Sequence, residues 1–161
     1  MTDLNNLFNP LFLDEKEIKK LIELLFFAYR DFTIGPDKIL ERIQFGRAHH
    51  RIIYFVGTQK EITIKELLKI LQITKQSLSH VLDQLVKQNY IDMSVGNDRR
   101  TKVLKLTKKG IELEKKLSKI QITKLKNLLK NSDENDINSF KKILFTMIGS
   151  NGKNIFNKLN E

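Results

Sequence analysis

Apolar residues recur at helical spacing along most of the chain and divide it into a series of amphipathic segments. The first pattern covers residues 15–32 after a candidate N-cap at Asp14. Gly35-Pro36 is expected to end this helix because proline disfavours a helix interior. A further helical segment follows at residues 38–57. These patterns predict a mainly helical protein.

Two shorter helix patterns, separated by a tight break, occupy the middle of the chain. The first begins at Thr63, and Glu66 stands three residues later at the spacing of a capping box. The second covers residues 74–89 and has one apolar and one polar face. This order predicts a helix-turn-helix.

The helix pair leads into two strand-like segments, at residues 90–95 and 101–107, which are joined by a linker rich in turn-forming residues. A hairpin directly after a helix-turn-helix is the arrangement of a winged helix. The predicted fold class is therefore mainly α (α+β), a winged helix-turn-helix with a two- or three-stranded wing sheet. Helical patterns return after the wing, up to an apolar tail that ends near Leu159.

Positive charge is concentrated in the second helix of the helix-turn-helix and in the hairpin that follows it. Residues 74–110 contain eight basic and three acidic residues, which supplies half of the formal net charge of +10 of the 161-residue chain. Clustered positive charge on a helix start and a hairpin is the expected footprint of binding to a phosphate backbone. We therefore predict that this segment binds double-stranded DNA.

The start of the second helix carries hydrogen-bonding side chains of the kind that reach base edges and phosphates. The hairpin tip adds arginines that fit a minor groove and an aspartate that can hold an arginine in a fixed pose. A solvated helix face and a merely solubilising hairpin are the alternatives for each element taken alone. The predicted DNA-binding residues are Thr74, Lys75, Gln76, Ser77, Ser79, His80, Asp98, Arg99, Arg100 and Lys102.

Residues 82–91 and 97–110, with an Asp-Arg-Arg tip at 98–100 and a Leu-Thr-x-x-Gly end at 106–110, resemble the MarR family of bacterial winged-helix regulators. The resemblance implies a homodimer built from N- and C-terminal helices that binds a pseudo-palindromic DNA site, most often as a repressor. It also implies frequent control by a small anionic ligand. Gln84 departs from the family because arginine is usual there, and Asn89 departs because glycine is usual.

Apolar faces at both ends of the chain support a subunit interface, because a protein of this size should not leave such stripes in water. The predicted organisation is a helical dimerisation region at residues 1–45 and 108–161. It flanks a winged helix-turn-helix DNA-binding domain at residues 46–107.

Basic side chains in and beside the segment 38–57 form a second group of interest. His49 shares a helix face with apolar residues, which favours a hydrogen-bonded, partly buried histidine. A pocket for a small anionic effector, or a sensor of pH near neutrality, is the second interpretation. A metal site is a distant third, because the chain has only three histidines and His80 lies on the predicted recognition helix. The effector-pocket candidates are Arg30, Arg47, His49, His50 and Arg51.

Composition excludes several other functions. The chain has no cysteine, which excludes disulfides, thiolate metal sites and thiol-based sensing. No apolar run approaches the ~20 residues that cross a bilayer, and no phosphate loop or catalytic nucleophile grouping is present. We expect a cytoplasmic regulator without enzymatic activity, cofactor or metal. The rival functions are a non-specific architectural DNA binder and a winged-helix module that binds protein.

Overall fold

A computed structural model describes residues 14–59, 61–96 and 100–161 of the chain. The order of elements confirms the predicted winged helix-turn-helix between flanking helices. These residues form seven helices and three strands: α1 (Glu15–Glu41), α2 (Arg47–Thr58), β1 (Ile62–Thr63), α3 (Ile64–Leu71), α4 (Lys75–Lys87), β2 (Ile91–Val95), β3 (Lys102–Leu106), α5 (Lys108–Leu129), α6 (Glu134–Met147) and α7 (Ser150–Leu159).

The strands form one antiparallel sheet in the order β1-β3-β2. β2 and β3 make the hairpin of the wing, with Val95 opposite Lys102, and the short β1 pairs Ile62 with Leu104. Leu104 is fully buried, whereas Lys102 and Lys105 on the same strand are exposed. Strand β3 therefore contributes apolar side chains to the core and leaves its basic side chains in solvent.

The helix-turn-helix has the local signals that the sequence predicted. At the start of α3, the Glu66 amide donates to Thr63 Oγ1 at 3.2 Å and the Thr63 amide donates to Glu66 Oε2 at 2.8 Å, which completes the capping box. Thr74 caps α4 with its side chain alone, which accepts from the Ser77 amide. After α4, Asn89 has a left-handed backbone with φ 62°, a conformation that asparagine tolerates better than most residues.

The first helix is longer than the sequence predicted. α1 continues through Gly35-Pro36 to Glu41, so the prediction that this pair ends the helix was wrong, as was the continuous segment 38–57. A proline inside a helix costs about 3 kcal/mol, and here the burial of Pro36 offsets the cost. Gly35 allows close packing of α1 on α5, because a Cβ at this position would lie 2.7 Å from Ile120 Cγ2.

The hydrophobic core lies between α2, α3, α4, the sheet and the first half of α5. Ile52, Leu67, Leu85 and Leu104 are among its fully buried side chains. Leu40 of α1 and Leu117 of α5 belong to the same core, so the packing crosses both predicted domain boundaries. The division at residues 45/46 and 107/108 stays a prediction.

Candidate nucleic-acid interface and adjoining cleft

Helix α4 turns its predicted contact face towards solvent. Leu78, Leu82 and Leu85 fix the opposite face of the helix in the core. Because these anchors hold the helix rigidly, the positions of its outward side chains are determined by the fold. The exposed predicted contacts on this helix are Lys75, Gln76, Ser77, Ser79 and His80.

Two hydroxyl groups at the start of α4 bind each other. Thr74 Oγ1 accepts a hydrogen bond from the Ser77 amide at 3.1 Å and donates one to Ser77 Oγ at 2.8 Å. The hydroxyl of Thr74 is thus used within the cap, whereas Ser77 retains a hydroxyl hydrogen that it can donate outwards. The helix N-terminus itself favours an anion such as a phosphate group.

The wing contributes the second part of the candidate interface. Arg100 and Lys102 are exposed at the end of the hairpin, which the Gly96 amide helps to close by donating to the Thr101 carbonyl at 2.9 Å. Asp98 and Arg99 lie outside the described residues. The predicted minor-groove role of Arg99 and the orienting role of Asp98 therefore stay predictions.

The end of the wing is fastened to the end of α4. Thr107 accepts from the Gly110 amide at 3.0 Å through Oγ1 and donates the same hydroxyl to the Asn89 carbonyl at 2.7 Å. Its backbone amide donates to the Tyr90 carbonyl at 3.1 Å. The Leu-Thr-x-x-Gly sequence thus has a structural role, because it joins the end of α4 to β3 of the wing.

His49 of α2 is buried and bonds across to α4. It is 9% exposed and stacks on the Phe45 ring with centroids 4.2 Å apart. Its Nδ1 accepts from the Gly46 amide at 3.1 Å, and its Nε2 lies 2.6 Å from Gln84 Oε1. This is the partly buried, hydrogen-bonded histidine that the sequence favoured, and it does not line the candidate ligand cleft.

The role of Gln84 was missed by sequence reasoning, which treated this position only as the loss of a family arginine. The residue is partly buried and lies between His49 on one side and His80 on the other. The spacing of His80 and Gln84 by one helical turn predicts their proximity. No signal in the sequence places His49, 35 positions away in the chain, beside them.

A cleft of about 480 Å³ lies between α1, α2 and α5, a volume within the usual range for small-molecule sites. Arg47, His50 and Arg51 line it, so the structure brings together three of the five effector-pocket candidates. Arg30 pairs with Asp31 at 2.8 Å instead. The remaining lining residues are Tyr29, Phe32, Thr33, Tyr54, Phe55, Ser118, Gln121, Ile122 and Leu125.

The cleft combines aromatic walls with two arginines and a histidine. Arg47 binds Asp37 at 2.9 Å, and this hydrogen bond raises the pKa of the guanidinium above its usual value. Arg51 donates to the Tyr29 hydroxyl at 3.1 Å. Burial lowers the pKa of His50, against the opposing effect of Asp37. An anion in the cleft would therefore meet two arginines and a neutral imidazole at neutral pH.

The helices of residues 14–59, 61–96 and 100–161 are too short or too polar to cross a bilayer. In the same part of the chain, no three side chains of histidine, cysteine, aspartate or glutamate are grouped to hold a metal ion.

Comparison with known proteins identifies the family. A model of the MarR family matches residues 43–101. The HTH-type transcriptional regulator PetP of Rhodobacter capsulatus is 38% identical over 139 residues, which cover 86% of this chain and 84% of PetP. The chain belongs to the MarR family. As a MarR-family protein it is a transcriptional regulator and not an enzyme.

Solved structures of other proteins share the architecture at low sequence identity. FabT of Streptococcus pneumoniae, solved in complex with DNA, superimposes with a TM-score of 0.71 at 20% identity and covers 81% of this chain and 94% of its own. A mutant of Escherichia coli MarR complexed with operator DNA gives 0.63 at 21% identity, covering 92% and 100%. These likenesses confirm the fold.

Proposed function

We propose that this MarR-family regulator binds double-stranded DNA as a homodimer at a pseudo-palindromic site and represses transcription, acting in the cytoplasm. The main support is the pairing of two exposed surfaces. The polar face of α4 and the basic end of the wing are joined through Thr107, whose hydroxyl bonds to the Asn89 carbonyl at 2.7 Å. FabT and the E. coli MarR mutant, both solved with DNA, support the choice of partner.

The side chains on α4 would read the major groove. Their amides, hydroxyls and imidazole match the donors and acceptors of base edges. Arg100 and Lys102, with Arg99 and Asp98 beyond the described residues, would bind the flanking minor groove and backbone. In a two-fold dimer the two α4 helices would lie roughly 34 Å apart, one turn of the duplex.

Two substitutions separate backbone binding from base reading. Lys102→Ala should weaken binding to all sequences and reduce the slope of log K against log salt by about 0.9. Gln76→Ala should change base preference more than non-specific affinity. Lys19→Ala is the control, because it removes a lysine from α1, outside the proposed DNA interface, where Lys19 pairs with Glu15. The measurement is binding to selected and random duplexes over a salt series.

The outcome of this experiment also tests the alternative function. Equal losses on every duplex from Lys102→Ala and Gln76→Ala would contradict the assigned roles. A ratio near one between selected and random DNA would favour a non-specific architectural protein, for which the surplus of lysines is sufficient. Failure to bind any duplex at low salt would refute DNA binding.

The homodimer is supported by apolar side chains that the single chain leaves in solvent. On α1, Ile22 is 60% and Phe26 63% exposed, and on α6, Ile143 and Met147 are each 61% exposed. Contiguous apolar surface of this kind marks an interface in water. A second copy of the chain would cover both helices, in the place that the family resemblance implied.

The cleft between α1, α2 and α5 is proposed to bind a small carboxylate that releases the DNA. Support comes from Arg51 and His50 facing aromatic walls, and from its place between α2 and the flanking helices. A ligand there can bias how the two α4 helices are spaced. Benzoate should weaken the binding of the wild-type protein to DNA. The effect should be smaller for the Arg51→Gln variant and unchanged for the control variant Arg30→Gln.

A further inference from the structure

Three side chains and one backbone amide form a continuous chain of hydrogen bonds from α2 to α4. The Gly46 amide donates to His49 Nδ1 at 3.1 Å, and His49 Nε2 lies 2.6 Å from Gln84 Oε1. The same Gln84 side chain then reaches His80, with Nε2 to Nε2 at 3.4 Å. The chain runs from the exposed start of α2, through the buried His49 and the partly buried Gln84, to His80 on the exposed face of α4.

The direction of every bond in this chain follows from its first member. A backbone N–H can only donate, so His49 Nδ1 must be the acceptor and its proton must sit on Nε2. His49 Nε2–H therefore donates to Gln84 Oε1. The Gln84 amide nitrogen is then the group that faces His80, and it donates to His80 Nε2. A neutral His80 consequently carries its proton on Nδ1.

The opposite direction is disfavoured by the same amide. If the Gln84 side chain were rotated by half a turn, its NH₂ group would face His49 Nε2–H and two donors would meet. Moving the His49 proton to Nδ1 would only transfer that clash to the Gly46 amide. Because His49 is 9% exposed, water offers its ring little compensation, and a buried donor without a partner is unfavourable.

We propose that this chain fixes His80 as a hydrogen-bond donor, through Nδ1–H, at the DNA surface. His49 and Gln84 are then positioning residues for recognition by His80. The partners of such a group are acceptors: guanine O6 and N7, adenine N7, thymine O4 or a phosphate oxygen. The amino group of cytosine is disfavoured. The role of His80 at DNA rests on the proposed function, whereas the tautomers do not.

The tautomers can be measured in the free protein by nitrogen-15 NMR of the histidine side chains, at about two pH units above the ordinary imidazole pKa of about 6.5. We expect Nε2–H at His49 and Nδ1–H at His80. In Gln84→Leu, His49 should keep its tautomer through Gly46, whereas His80 should become a mixture. Gln88→Leu, the same change at the end of α4, should alter neither. A mixture or Nε2–H at His80 in wild type would overturn the proposal.

A second experiment tests recognition. In sites selected from random duplexes, Gln84→Leu should reduce base discrimination at the position that His80→Phe also affects, by roughly two- to tenfold, the worth of one neutral hydrogen bond. The double variant should lose no more than His80→Phe alone, because both changes remove the same contact. Additive losses would refute the positioning role. A protein that binds no DNA would sink the proposed function, while the NMR result would still decide the tautomers.

Discussion

At the scale of single residues, hydrogen-bond partners decide what each histidine does. His49 is buried between the Gly46 amide and Gln84, His50 is half-buried in the cleft, and His80 is exposed on α4. His49 bonds across the core, and we propose that His50 contacts the effector and His80 contacts DNA. The three rings differ in their neighbours, so one residue type can serve three roles.

His50 should make stability depend on pH. Burial lowers its pKa below the ordinary 6.5, with Asp37 opposing, so the folded state binds fewer protons than the unfolded state in the window between the two values. The contribution of His50 to stability is fully present above pH 6.5 and is lost as the pH falls through this window. His50→Gln should flatten the dependence in urea unfolding measured from about pH 7.5 to 5. An unchanged slope would contradict this assignment.

Gly110 should not accept a side chain. A Cβ at this position would lie 2.1 Å from the Tyr90 carbonyl oxygen, a backbone atom that cannot rotate away. Gly110→Ala should therefore lower the free energy of unfolding by about 3 kcal/mol, the upper range for overpacking, and should loosen the junction of α4 and wing. Denaturant unfolding measures the change. Gly149→Ala, with nothing within 4 Å of the added Cβ, should stay close to wild type.

At the scale of elements, the ends of the recognition unit were readable from the sequence and the end of α1 was not. Thr63 and Thr74 cap α3 and α4 as predicted, because a cap depends on residues within one turn. The end of α1 depends on distant residues. Pro36 is buried and Gly35 lies against Ile120 of α5, so packing overrides the local preference to stop.

Asn89 should be replaceable by glycine and by little else. Its φ of 62° ends α4 in the left-handed region, which costs roughly 1–2 kcal/mol for a residue with an ordinary Cβ. Asn89→Val should lower the thermal midpoint, whereas Asn89→Gly should keep or raise it. Equal destabilisation by both changes would show that the asparagine side chain, and not the backbone conformation, matters here.

At the scale of the whole molecule, the charged and apolar surfaces lie on different elements. The basic residues that we assign to DNA belong to α4 and the wing, and the exposed apolar side chains belong largely to α1 and α6. Two surfaces of different chemistry suit two partners, a polyanion and a second copy of the chain. The linked prediction is that self-association and DNA affinity change together.

A charge on the apolar surface should separate the subunits. Ile143→Glu with Phe26→Glu places carboxylates on side chains that are 61% and 63% exposed and that we expect a partner to bury, which is strongly unfavourable for an unpaired charge. Sedimentation should show a monomer, and DNA affinity should fall because two linked half-sites bind far better than one. The Asn138→Glu variant, with the charge on the opposite side of α6, should remain a dimer. A dimer in the double variant would refute the interface.

The sequence by itself determined the features that depend on neighbours within a few positions. Helix caps, the left-handed Asn89 and the concentration of basic residues at 74–110 all belong to this class. Only the tertiary structure decided the course of α1 through Pro36, the contact of His49 with Gln84 and the cleft between α1, α2 and α5. These features join residues far apart in the chain, and their free energy comes from packing that no local pattern encodes.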